Sequence, residues 1–221
     1  MSYLKKIILG SAQFSGIYGI SNNKKLSFKE VDKIIKYSFR AGIREIEICS
    51  TYGNSQYKIL KSIKKNKLIK KLGAIYKFNK IHKNTIKLFD NINEMTNLKI
   101  ILSHSSKFYV SKKFQNFIKN LDNKKIKIGV SIYEIKELEK LLKYEVKPSI
   151  IQVPYNIFNQ KFDQKYLIKK LNKHKIKIHV RSIFNQGLIF LSDRKFKSKF
   201  RKNYKFFINF KKKLKKFDEN L

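Results

Sequence analysis

Seven short runs of β-branched and apolar residues recur along this chain, and most are followed by a longer stretch with apolar residues three and four apart. The strand candidates are Lys6 to Leu9, Glu45 to Ile48, Leu72 to Tyr76, Lys99 to Ser103, Lys127 to Ser131, Ser149 to Val153 and Lys175 to Val180. Helical periodicity occupies 27–40, 54–65, 83–95, 111–121, 134–144 and 163–173. Ser27 with Glu30 has capping-box spacing, and Ser111 opens another amphipathic run. One strand per helix, repeated in order, predicts a parallel sheet with right-handed crossovers.

Two parallel architectures remain, and the polar residues separate them. Apolar strands end in polar side chains: Glu47 and Tyr52, Lys77, His104, Ser131, Gln152 and Asn156, then Arg181 and Ser182. In a (β/α)8 TIM-barrel type fold these ends converge on one face, the face that carries chemistry. A doubly wound sheet would normally open with a glycine-rich fingerprint at its first turn, and Gly10-Ser11-Ala12-Gln13-Phe14-Ser15-Gly16 lacks it. The expectation is therefore one α/β barrel domain over 1–221.

That barrel reads as incomplete, with about seven units and no eighth strand. After Val180 the apolar residues Phe196, Phe200, Tyr204, Phe207, Phe210, Leu214 and Phe217 fall on one helical face, predicting an amphipathic helix over 196–217. The first and seventh strands would keep unpaired edges, which the final helix, a loop or a partner chain would have to cover.

Composition narrows the function. Lys and Arg number 52 against 15 Asp and Glu, giving a formal net charge of +37. Five of the 52 are Arg, and the lysines are dispersed, which argues against sequence-specific nucleic-acid binding, where clustered Arg reads base edges. One cysteine, Cys49, excludes a disulfide framework, and no clustered Cys and His suggests a metal site. No apolar run reaches the ~18 residues of a membrane span, so a soluble, cytoplasmic protein is expected.

The segment Gly42 to Gln56, GIREIEICSTYGNSQ, resembles the aldo-keto reductase signature. LGSAQF at 9–14, IILSH at 100–104, KIGVSIY at 127–133, IIQVPYN at 150–156 and HVRSIFNQGL at 179–188 are similar to further family segments in order. The branch most alike is the bacterial group found with surface-polysaccharide genes.

The resemblance implies NADP(H) or NAD(H) as hydride donor, a small-molecule carbonyl substrate with sugar derivatives among the candidates, and no metal. It implies Tyr52 as general acid, Lys77 beside it to lower the phenol below its ordinary ~10, His104 to orient the carbonyl, and Glu47 where the family has an aspartate. It places Gly10, Ser11 and Ala12 near the nicotinamide, Ser131 and Gln152 on its carboxamide, and Arg181, Ser182, Gln186 and Gly187 along the diphosphate. Ile132 and Arg181 depart from the usual Asn and aromatic residue. Taken singly, His104 reads equally as a structural histidine, and Gly187 and Asn156 as loop residues. The missing eighth strand keeps open a second reading, a weakly active or inactive barrel serving as a binding or assembly module.

Overall fold

The computed structural model describes residues 3–16, 18–20, 24–121, 125–144 and 146–218, with side chains up to 213. Seven strands form one parallel sheet in sequence order, β1 Ile8–Leu9, β2 Glu45–Cys49, β3 Gly73–Phe78, β4 Asn97–Ser103, β5 Lys127–Ser131, β6 Ile150–Pro154 and β7 Lys177–Arg181. Between them run α1 Phe28–Arg40, α2 Ser55–Lys65, α3 Lys83–Met95, α4 Ser106–Tyr109, α5 Lys112–Lys119, α6 Ile135–Leu141 and α7 Lys165–Lys173. The sheet curls into an incomplete (β/α) barrel: β1 pairs with β2 and β7 with β6, but among the described residues nothing joins β7 to β1.

Local chemistry sets these elements. Ser27 accepts from the Glu30 amide while the Glu30 carboxylate accepts from the Ser27 amide, satisfying two orphan donors of α1. Val31 and Ile35 then face the sheet, and buried Asp32 accepts from Ser62, Lys65 and Asn66, tying α1 to α2. In β2 the EIEIC alternation sends Ile46 and Ile48 outward into the large core beneath the helices.

The inward face has its own small core of Ile75, Ile100, Leu102 and Ile150, with Ile8 against it. Space is tight there. A Cβ on Gly129 would come within 2.8 Å of Leu102 Cδ1 and 3.0 Å of Ile150 O, so only glycine fits this layer.

The end of the chain differs from the continuous helix expected over 196–217. α8 Asp193–Lys199 stops at Phe200 (φ −135°, ψ 49°), a short 3-10 turn covers Arg201–Asn203, and α9 Tyr204–Asp218 follows. The break lets Phe196 and Phe207 stack, ring centroids 3.7 Å apart and 3° from parallel. With Leu191 they form a satellite core that also takes Ile20, Leu188, Phe200, Tyr204 and Ile208. Burying one Phe of this kind contributes about 1.5–3 kcal/mol. Leu214 and Phe217 lie outside the described side chains.

Ile20 belongs to the loop after β1, and its amide donates to Gln186 O in the loop after β7 at 2.8 Å. Neighbouring Gly19 (φ +86°) has no room for a Cβ, which would lie 2.4 Å from the same oxygen. Thus the rim of the barrel is joined across the gap by loops rather than by a strand.

Candidate active site

A cleft of about 660 Å³ opens at this gap. Ile7, Ile8 and Leu9 line one wall, and His179, Val180 and Arg181 the other. Glu47 and Lys77 from β2 and β3, Gln152 from β6, and Tyr52 also line it.

Three strands, β2, β3 and β6, bring together one buried polar cluster. Lys77 Nζ lies 2.8 Å from Glu47 Oε1 and donates to Gln152 Oε1 at 3.1 Å. Gln152 Nε2 in turn donates to Glu47 Oε2, so the carboxylate contacts both partners. The Lys77 and Glu47 side chains are 3% and 11% exposed, a buried pair made tolerable by these added hydrogen bonds. The longer glutamate keeps the lysine contact that the family's aspartate would make.

Lys77 Nζ sits 5.5 Å from the centroid of the Tyr52 ring. Burial alone would push Lys77 down, but Glu47, followed by Tyr52 and Cys49, raises it, and the lysine stays above its ordinary value. Tyr52 departs from expectation. Burial pushes the phenol up to about 12; Lys77 pulls it down, while Glu47 and Cys49 add to the rise. The pull of the neighbouring ammonium is outweighed by burial, with the carboxylate adding to the rise.

His104 stands beside this group. Its Nδ1 is 3.5 Å from Thr51 Oγ1 and 3.7 Å from Cys49 Sγ, and its ring is not among the residues lining the cleft. Burial first, then the charge of Lys77, hold it below its usual range.

The other expected residues divide similarly. Gly10, Ser11, Ala12, Arg181, Ser182, Gln186 and Gly187 all line the cleft. Ser131 does not; its hydroxyl accepts from Arg181 Nε at 3.3 Å. Gln152, expected on a carboxamide, is held in the Glu47–Lys77 network.

The Arg181 guanidinium lies over the Tyr133 ring at 4.1 Å, and its Nη1 donates to Ser182 Oγ. Ser182, Asn185, Gln186 and Gly187 all have positive φ, and in this kinked loop the Asn185 and Gly187 amides donate to Ser182 O and Phe184 O. Three polar atoms of residues lining the cleft are buried without partners, Ser11 Oγ, His179 Nδ1 and Arg181 Nη2. Orphans of this kind are uncommon in native proteins and fit a bound polar ligand.

Sequence reading missed several lining residues. His179 pairs in register with Gln152, so strand alternation places both inside, and its Nδ1 is buried without a partner. Burial holds it below its ordinary value against the pull of Glu45 and Glu47. Phe184 and Phe190, rings 5.0 Å apart, stand exposed at the mouth, and no periodicity marks them.

A family model described as the aldo/keto reductase family matches residues 6–219, nearly the whole chain. The chain belongs to the aldo/keto reductase family. Its fold is similar to a putative aldo-keto reductase from Pseudomonas aeruginosa, at a TM-score of 0.61 and 14% identity over 89% of this chain and 80% of that one. It is also similar to a thermostable aldo-keto reductase solved with the inhibitor epalrestat, at 0.60 and 18% identity over 89% and 75%. No curated protein matches in sequence. Membership makes this an oxidoreductase scaffold of a kind that generally uses NAD(P)H. Among the described residues no helix is long and apolar enough to cross a membrane.

Proposed function

We propose that the protein reduces the carbonyl of a small molecule with NADPH or NADH, using Tyr52 as the proton donor. The observation that carries this is the buried Glu47–Lys77 pair beside Tyr52 on the floor of the cleft.

The cleft fits a nicotinamide nucleotide. Ser11 Oγ and Arg181 Nη2 are unpartnered polar groups at its lining. Gly10, Ser11 and Ala12 would hold the nicotinamide end, and Arg181, Ser182, Gln186 and Gly187 the diphosphate. The bound nucleotide would supply the hydride.

Tyr52, pushed up to about 12, carries its proton throughout the neutral range and can donate it from Oη to the carbonyl oxygen. Lys77 stabilises the phenolate left behind, and Glu47 fixes Lys77 in place. His104, its ring against Thr51 and Cys49 behind the cleft, would support the turn that carries Tyr52.

Loss of NADPH absorbance with a panel of aldehydes and ketones tests the reading. Tyr52→Phe should abolish reduction while leaving NADPH binding measurable by calorimetry; undiminished turnover in that variant would remove Tyr52 from the chemistry. The unclosed sheet favours a second reading, a weakly active or inactive barrel that has lost cofactor affinity and serves as a binding or assembly module. No heat with either nucleotide would support it.

A further inference from the structure

Beside the cleft lies a second cavity of about 570 Å³, walled by residues of the 50–56 segment, the loop after β3 and one face of α3. Gln56, Asn79, Asn84 and Asn91 bring amides to it, and Lys80 and Lys87 bring ammonium groups. Asn84, Lys87 and Asn91 follow one another at spacings of three and four, so a single helix face presents them. No carboxylate lines this cavity.

In a chain so rich in lysine, an unpaired ammonium means little alone. These two stand at the surface among amide side chains, and among the described residues neither has an acidic partner. Gln56 Oε1 is buried there with no donor. His82 Nδ1 accepts from the Thr85 amide, which leaves Nε2 as the ring's donor at the lining.

These features select a ligand class. Two ammonium groups without a carboxylate select an anion, and a buried acceptor without a donor selects a hydroxyl. Amides that both donate and accept suit several hydroxyls, and the volume suits one or two rings. We propose that this cavity binds a sugar bearing a phosphate or carboxylate group. Ser50 and Thr51 form its inner wall and directly precede Tyr52, so the ligand would rest against the turn that carries the phenol. The proposal concerns binding alone and stands whether or not the cleft performs reduction.

Calorimetric titration of the full chain, without nucleotide and in enough salt to screen long-range attraction, tests it. Glucose 6-phosphate or glucuronate should fill one site, and the better of the two tells phosphate from carboxylate as the favoured anion. Glucose and inorganic phosphate should each bind about tenfold or more weakly, because each lacks one half of the recognition. The double variant Lys80→Gln/Lys87→Gln should weaken the sugar anion about tenfold or more, and Lys33→Gln on α1 should leave it unchanged. Both lysines are exposed, so the double variant keeps its fold, which a thermal melt verifies. Gln56→Leu should also weaken the sugar anion without changing charge. No saturable binding, equal binding of inorganic phosphate, or wild-type affinity in the double variant would overturn the proposal.

Discussion

Glu47→Gln removes one charge and almost no volume from the floor of the cleft, which isolates the electrostatic role of the buried pair. Lys77 is 3% exposed, and its ammonium would remain with neutral acceptors only. Stranding a buried cation in this way costs about 3–5 kcal/mol, and the surviving bond to Gln152 places the expectation near the lower end. Against a typical stability of about 5–15 kcal/mol, that loss is large. The pH dependence identifies its origin. In the wild type, burial lowers Lys77 but Glu47 and its neighbours raise it further, so the folded value lies above the unfolded one. Such a lysine contributes stability below ~10.4 and loses it as pH rises through the folded value. In the variant burial dominates, the folded value falls below the unfolded one, and the penalty is full at neutral pH. The penalty then shrinks as pH climbs toward ~10.4. Urea unfolding followed by far-UV circular dichroism, at neutral pH and near the onset of lysine titration, reads both effects. A wild-type midpoint at neutral pH, or a deficit that does not narrow with pH, would refute the idea that Lys77 depends on Glu47.

Gly129→Ala should destabilise by about 1–3 kcal/mol through overpacking against Leu102 and Ile150, seen in urea unfolding. Gly19→Ala meets both a positive φ and the Gln186 carbonyl, so it should part the two rim loops and weaken NADPH binding in calorimetry, with a smaller loss of global stability than Gly129→Ala. His104 and His179 both lie below their ordinary value, chiefly through burial, so stability should be full above ~6.5 and fall as pH drops below it. Thermal melts across that range should show a shallower slope in His104→Gln.

The parallel order of strands was legible because each βα unit announces itself by a change of period, from two to three and four. The Glu47–Lys77 contact was implied by the family resemblance rather than by the pattern, and the strand register accounts for it. Both residues sit at inward positions of neighbouring strands, where the barrel leaves little room to avoid one another. What the pattern could not supply is the balance of burial against charge. Tyr52 shows this: a lysine nearby suggests a lowered phenol, yet the same carboxylate that anchors the lysine, together with a dry setting, moves the phenol the other way. The C-terminal stripe misled for a geometric reason. Its spacing of three and four survives the turn at Arg201–Asn203, so a helical pair reads as a single helix until packing brings Phe196 onto Phe207.

The gap in the sheet and the position of the cleft have one cause. Where a closed barrel would pair its last strand with its first, β1 and β7 stand apart, and their inner residues become the two walls of the cavity. The loops carrying Ile20 and Gln186 meet above it, and the satellite core of α8 and α9 holds those loops down. Disruption of that satellite core should therefore act on ligand affinity through the rim before it acts on the sheet. Phe207→Ala, which removes a ring 1% exposed and stacked on Phe196, should weaken nucleotide binding while β3, β4 and β5 keep their hydrogen-exchange protection. Loss of protection throughout the sheet in that variant would show the C-terminal helices to be part of one cooperative unit, and would remove the separation between rim and barrel.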